Sequence, residues 1–276
     1  MVLSDVIGDP LDLIASGPTV KDKSTYADAW NLVERYGLEE EGKFSLLSET
    51  LDVLRNGRDI EANDNANDNA NENQNQEADD ARVANSDTVL VGNNALAVTA
   101  AAQEAERLGY NPVILGTTIE GEAAHIANVY VSMAEQLQKS ASASSTSSFP
   151  IASLPAALIA GGETTVTLSP ENTGLGGRNQ EIGLAAALKL KNCGLRNIVL
   201  ASIGTDGTDG PTDAAGAVVD GGIIDRIEFY ANEHEHEHEH KHLQSGEDAL
   251  RDHDSYTFLD RSKDEYSGLI KTGATG

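Results

Sequence analysis

The feature that most constrains this chain is an alternation of strand-length apolar runs with amphipathic, helix-length stretches. Thr88–Gly92 (TVLVG) is a short apolar run ending in glycine, and after Asn93 and Asn94 comes an Ala-rich amphipathic stretch closed by Gly109. Pro112–Thr118 (PVILGTT) reads as a second strand and Gly121–Lys139 as a second helix, apolar at Ile126, Val129, Tyr130, Met133 and Leu137. Such a β-α-β-α unit favours a parallel sheet, because parallel strands need a long crossover between them. A similar order follows in Ala157–Gly161, Thr164–Leu168, a helix from about Gln180 to Lys191, and a strand from Asn197 to Ile203.

The first 58 residues are less regular. Leu3–Ile7 and Leu11–Ala15 are short apolar runs around Gly8-Asp9-Pro10, and Ser16–Thr19 (SGPT) begins another turn. Helices are predicted over Ser24–Tyr36, ending at Gly37, and from about Lys43 to Arg55. No strand or helix precedes the apolar runs to cover them, so the chain reads as opening in mid-structure. Three biased tracts interrupt the pattern. Glu61–Asp80 has asparagine at every odd position from Asn63 to Asn75, Ser140–Ser148 reads SASASSTSS, and Asn232–His242 reads NEHEHEHEHKH. Such segments bury little apolar surface and are read as surface insertions, the serine-rich one lying in a linker. The expected fold class is therefore α/β: two α/β regions with largely parallel, Rossmann-like sheets, interrupted by low-complexity insertions.

Charge gains meaning once the tracts are set aside. The formal net charge is −26, from 45 acidic and 19 basic side chains, and ten of those negative charges fall in the first and third tracts. The remaining acidity still argues against nucleic acid and anionic membrane surfaces as partners. No apolar run approaches the roughly 18 to 20 residues of a membrane span, and MVLSDVIGDP lacks the basic-then-apolar pattern of an export signal. Cys193 is the sole cysteine and no Asn-x-Ser/Thr acceptor occurs, which fits a reducing, cytoplasmic setting. His234, His236, His238, His240 and His242 offer imidazoles to a transition metal, yet no second shell is evident around them and a slipped coding repeat gives the same pattern.

One motif is rejected. Gly37–Phe44 (GLEEEGKF) matches phosphate-loop spacing, but Phe44 stands where a hydroxyl should bind magnesium and three glutamates line the intended cradle. Four others carry possible chemistry. Gly204–Gly216 (GTDGTDGPTDAAG) follows a strand and offers Asp206, Asp209 and Asp213 where α/β sheets bind ligands, although Asp-Gly pairs also simply build turns. In Gly174–Glu181 (GLGGRNQE) a glycine turn presents Arg178 before a helix that Asn179 can cap, so free N–H groups and a guanidinium would converge on an anion; Glu181 can instead help satisfy the helix start. A surface arginine beside a capped helix fits the same spacing. Gly161–Thr165 (GGETT) places Glu163 after an apolar run, and SDVIGDP with ASGPT places Asp5, Asp9, Ser16 and Thr19 on neighbouring turns. There is no Ser-His-Asp set or thiol pair, so the pattern points to phosphate or polyol handling rather than acyl transfer.

Taken together, LSDVIGDPLDLIASGPT, GGETTVTL, GGRNQEI, GTDGTDGPTDAAGAVVDG, HDSYTFL and the terminal TGATG resemble the class II glycerate kinases, whose C-terminal part is the MOFRL domain. The resemblance covers about residues 1–58, 85–139, 154–230 and 246–276. It implies residues 1–139 as the C-terminal part of the family's N-terminal domain, with a disordered insertion at 61–80. Residues 140–153 would be a linker and 154–276 a MOFRL-like domain with an insertion at 232–242. The implied activity is ATP-dependent phosphorylation of D-glycerate at the 2-hydroxyl with Mg²⁺. Arg178 and Asp206 would be catalytic, with Asp206 and Asp209 as metal ligands. The substrate and nucleotide would meet Asp5, Asp9, Ser16, Gly17, Thr19, Gly161, Gly162, Glu163, Gly176, Gly177, Asn179, Glu181, Gly204, Thr205, Asp209, Thr272 and Gly273. The family's long N-terminal portion, with a catalytic lysine, has no counterpart here, and the family continues past TGATG, so both edges read as cut. The alternative is a non-catalytic fragment that binds glycerate, phosphate or metal.

Overall fold

The computed structural model describes residues 1–4, 6–39, 46–66, 83, 86–142, 153–169, 174–233, 244–260 and 267–275. The chain divides into two compact units, Met1–Asn93 and Asn94–Gly276.

In the first unit β1 (Val2–Leu3) pairs in parallel with β2 (Leu90–Gly92). Between them lie α1 (Tyr26–Tyr36) and α2 (Ser48–Ala66). Helix α1 starts at a capping box: Thr25 Oγ1 accepts from the Asp28 N–H at 3.0 Å and the Asp28 carboxylate accepts from the Thr25 N–H at 2.9 Å. It ends on Gly37 in the left-handed region (φ 60°), so the first glycine of the rejected phosphate-loop pattern is helix punctuation. Helix α2 starts later than its sequence predicts and reaches Ala66, into the asparagine-rich tract. A tertiary contact holds that extension, since the Glu61 carboxylate accepts from the Tyr26 and Ala27 N–H groups at 3.0 and 3.1 Å. Trp30 and Val33 are buried, and the guanidinium groups of Arg55 and Arg58 lie over the Trp30 ring.

The second unit contains, in order, α3 (Asn94–Arg107), β3 (Asn111–Glu122), α4 (Ala123–Ser142), β4 (Ala156–Thr165), α5 (Arg178–Asn192), β5 (Val199–Ile203), β6 (Gly216–Asp220), α6 (Ile223–Glu233), α7 (Gly246–Arg251), α8 (Ser255–Leu259) and β7 (Leu269–Ile270). Strands β3 and β4 are parallel, with Val113 beside Leu158 and Glu120 beside Glu163. The two strands predicted for Ala157–Leu168 are one: Gly161 and Gly162 lie inside β4, Gly162 against the Ile119 backbone and Gly161 beneath Asn94 and Val98 of α3. The third sheet, β5-β6-β7, is antiparallel. Its first two strands are joined by the loop 204–215 rather than by a crossover helix, and a short loop can only return the chain antiparallel.

Helix α5 organises the core. Residues Gln180–Leu188 and Leu190 are all buried, which makes it apolar almost all round, as a central helix must be. Its alanines allow close packing against Ala123, Ala127 and Val131 of α4, and Gly183 lets Ala217 of β6 approach. Ile223, Ile224, Ile227, Ala249, Phe258 and Leu259 complete the cluster. Full burial of a side chain such as Leu184 or Leu190 contributes about 1.5–3 kcal/mol. Among the described residues no helix is long and apolar enough to cross a membrane.

Candidate active site

The candidate site of the second unit is built where α5 begins. The chain reaches Arg178 through the turn Gly174–Gly177, which threads between two other backbones. A Cβ at Gly176 would strike the Ser255 hydroxyl and one at Gly177 the Asp209 carboxyl, so glycine is required for the closeness of the approach. Hydrogen bonds sew the turn in place: Gly174 N–H donates to Asp252 O at 2.9 Å, Leu175 N–H to Asp254 Oδ1 at 2.9 Å, and Tyr256 N–H to Leu175 O at 2.9 Å. Arg178 is thereby delivered at the first position of α5, with Gly177 as its N-cap. Its guanidinium meets the Glu163 carboxylate of β4 at 2.7 Å, both side chains being about half exposed.

Asn179 does not cap the helix, because it lies within the first turn; Asp209 does so from outside. The buried Asp209 carboxylate accepts from Asn179 N–H at 3.1 Å, Gln180 N–H at 2.9 Å and Asn179 Nδ2 at 3.2 Å. Two of the helix's leading N–H groups are therefore already satisfied, and the anion-binding capacity of this helix start is correspondingly reduced. Asn179 is fixed further by Ser202 of β5, whose hydroxyl donates to Asn179 Oδ1 at 2.6 Å. Gln180 donates to Asp209 O at 3.1 Å and Thr212 Oγ1 at 2.8 Å, locking the loop onto the helix.

Asp206 stands differently. It is exposed, and its carboxylate accepts from the Thr208 N–H and hydroxyl, each at 3.0 Å. These bonds, with a smaller contribution from the field of Arg178, hold its carboxyl below the ordinary aspartate value. Gly204 N–H donates to Ala215 O at 2.7 Å, closing the loop, and Gly207 turns it in the left-handed region (φ 86°). The C-terminal segment lies along this loop: Thr275 donates from N–H to Asp206 O at 3.0 Å and from Oγ1 to Thr205 O at 2.6 Å, and the Gly273 carbonyl sits against Gly207. Thr272 Oγ1 donates to Gly273 O at 2.9 Å. Lys271 donates to Tyr256 OH at 2.9 Å and pairs with Asp213 at 3.2 Å, which raises its ammonium pKa.

Glu181 is buried one turn below Arg178, and His253 Nδ1 lies 2.9 Å from its Oε2. Burial pushes the Glu181 carboxyl above the ordinary range, the His253 contact opposing that shift. Sequence reasoning passed over His253, Ser202 and Lys271. HDSYTFL was visible as a motif, but nothing in it marks the histidine as the residue that folds back on Glu181.

The first unit holds its own set. Asp9, Ala15, Ser16 and Gly17 all have left-handed backbones, with φ of 53°, 51°, 63° and 55°, three of them without the freedom of glycine. Asp9 Oδ2 accepts from Asn93 Nδ2 at 2.6 Å, just past the end of β2, and Thr19 Oγ1 lies 2.7 Å from Thr88 Oγ1. Asp5 lies outside the described residues, as do residues 234–242 of the histidine tract. Among the described residues no group of three or more His, Cys, Asp or Glu side chains is arranged to hold a metal ion.

Residues 156–276, from β4 to the C-terminal segment, match the MOFRL family model. Residues 1–49 match a second model, a domain of unknown function (DUF4147). The chain is similar to D-glycerate 2-kinase of Thermotoga maritima, at 35% identity over 100% of this chain and 53% of that protein. It is similar also to glycerate 2-kinase of Pyrococcus horikoshii, at 33% identity over 100% of this chain and 52% of that protein. A crystal structure of glycerate kinase from Thermotoga maritima superposes with a TM-score of 0.64 and 31% identity, over 99% of this chain and 53% of that one. The chain is thus similar to glycerate kinases along its whole length while spanning about half the length of those relatives.

Proposed function

We propose that this chain carries part of a glycerate kinase site, serving ATP-dependent phosphoryl transfer to the 2-hydroxyl of D-glycerate. The observation that carries the reading is the delivery of Arg178, on a turn fixed from both sides, beside the exposed Asp206 loop. A planar guanidinium suits a carboxylate or a transferring phosphoryl group, and phosphoryl transfer depends mainly on positioning and charge neutralisation. The relatives' names support the same reaction class. The charge of the site supports a need for added cations, since Arg178 is faced by Glu163 and Asp206.

Magnesium usually binds through one or two carboxylates plus substrate phosphates, keeping several waters. Asp206 fits that use, being exposed and held ionised. Asp209 does not, because its carboxylate is committed to the start of α5. When bound, the ion would screen the phosphates' charge. Gly161 and Gly162 precede Glu163 on β4, and Gly204, Thr205, Thr272 and Gly273 lie along the Asp206 loop; within the first unit, Asp9, Ser16, Gly17 and Thr19 form a separate set of polar turns. A cytoplasmic location accords with a lone, exposed Cys193.

The test is calorimetric titration of the purified chain with D-glycerate, alone and with Mg²⁺ and a non-hydrolysable ATP analogue, followed by a turnover assay. D-glycerate is expected to bind, with a loss of about tenfold or more in Arg178→Ala, and turnover is expected to be little or none in a chain half the relatives' length. A chain that binds no D-glycerate under any of these conditions would refute the reading. Robust turnover left unchanged by Arg178→Ala would equally refute it.

A further inference from the structure

Buried carboxylates in proteins are usually matched to a partner that justifies their burial. For Glu181 that partner is His253, and the pairing has an asymmetric form. Nδ1 faces the Glu181 carboxylate at 2.9 Å, which is the ring's one hydrogen bond among the described residues. Nε2 has no such bond among the described residues, and the His253 side chain as a whole is 18% exposed. An ionised carboxylate on Nδ1 selects the tautomer with its proton there and leaves the lone pair on Nε2.

The backbone reinforces this orientation. His253 sits in the left-handed region at φ 55°, which histidine, like asparagine, enters more readily than most residues. The corner is held there from both sides, by Gly174 N–H on Asp252 O and by Asp254 N–H on Ala249 O at 2.8 Å. The same corner sews in the turn that delivers Arg178. Glu181 is three residues beyond Arg178 on α5, on the same side of the helix and about 4.5 Å along its axis.

We propose that Glu181 and His253 form a carboxylate–imidazole dyad whose outer nitrogen, Nε2, binds the reacting hydroxyl of the ligand held by Arg178 and accepts its proton. The proposal rests on the kinase reading above. In the transfer step the hydroxyl oxygen forms a bond to the γ-phosphorus of the nucleoside triphosphate, the bond from that phosphorus to the bridging oxygen breaks, and nucleoside diphosphate leaves. The hydroxyl proton passes to Nε2, and Glu181 stabilises the imidazolium until water takes the proton away. Besides His253, the groups facing Glu181 are Glu122 at the end of β3 and Asp209 in the loop after β5, both of which disfavour its charge; His125 on α4 bears in turn on Glu122.

The test compares D-glycerate with 3-hydroxypropionate, which keeps the carboxylate for Arg178 but lacks the 2-hydroxyl. In the full chain labelled with ¹⁵N-histidine, D-glycerate should shift the Nε2 resonance of His253 and 3-hydroxypropionate should not. His253→Asn, which tolerates the left-handed backbone and can still donate to Glu181, should weaken D-glycerate binding about tenfold and leave 3-hydroxypropionate unchanged. Glu181→Gln should narrow the difference between the two ligands in the same way, because an amide donor on Nδ1 moves the ring proton to Nε2. Equal losses for both ligands, or an unmoved Nε2 resonance, would overturn the dyad. Should Arg178→Ala lose D-glycerate while His253→Asn does not, the dyad fails and the kinase reading survives. If the unmodified chain binds neither ligand, both fail together.

Discussion

Two helices in this chain have their first N–H groups satisfied by a carboxylate from elsewhere in the sequence, and the two cases differ instructively. At α1, Glu61 accepts from Tyr26 and Ala27 near the surface, and the helix also has its own capping box in Thr25 and Asp28. At α5, Asp209 accepts from Asn179 and Gln180 in the interior, and no side-chain cap on the helix itself stands in reserve. The first arrangement adds a tie to a helix that already ends well. The second makes a helix start depend on a loop, and so makes the position of Arg178 depend on the loop that carries Asp206.

The contrast between a helix start with a spare cap and one without can be pressed by substitution. The largest effect is expected in the core itself: Phe258→Ala, at a fully buried position, should cost the second unit about 3–5 kcal/mol by urea unfolding followed by circular dichroism. Asp209→Ala comes next, at about 1–3 kcal/mol, because it leaves buried donors unsatisfied. It should also weaken D-glycerate binding, whereas Glu61→Ala should not. That substitution should cost about 0.5–1 kcal/mol, seen as faster hydrogen exchange in the first turn of α1 with the second unit unchanged. Equal costs for Asp209→Ala and Glu61→Ala would remove the distinction between the two helix starts.

The smallest expected effect is acid-dependent. Asp225 pairs with Arg196 at 2.9 Å and Lys191 at 3.1 Å, and these contacts hold its carboxyl below its ordinary value of 3.8. A depressed folded value stabilises above the unfolded one and is lost as pH falls through the folded value. Asp225→Asn should therefore flatten the acid limb of the stability profile, by less than about 0.5 kcal/mol at so exposed a pair. Glu181 runs the opposite way. Its carboxyl is raised above 4.5, chiefly by burial, so its contribution is present below that value and lost as pH rises through the folded one. Glu181→Gln should remove that decline.

Much of the fold was legible in the sequence because its signals are local. The strand–helix order from Leu90 to Ser142, the Gly37 stop and the helix after the glycine turn all follow from periodicity and punctuation. What escaped is non-local. Glu61 extends α2 by reaching Tyr26, and Gly161–Gly162 are strand residues because a neighbouring strand and helix come close, not because the chain turns. The antiparallel return of β6 against β5 hangs on one loop's brevity. At the site, Arg178, Glu163 and Asp206 were readable as chemistry-bearing residues, but their partners were not. No spacing links Asp209 to the N–H groups of α5, or His253 to a glutamate 72 positions away.

For any anion that Arg178 were to bind, its ion pair with Glu163 would make occupancy an exchange rather than an addition. An incoming carboxylate replaces one already in place, so the guanidinium keeps its count of negative neighbours and the liberated Glu163 must find water or a cation. Affinity at this position is then a competition between an internal and an external anion, one tethered and one free. At a pair so exposed the tethered anion would set a modest threshold, about 1 kcal/mol or less, which a ligand with a second handhold would pass most easily. Selectivity of this kind needs no extra pocket wall.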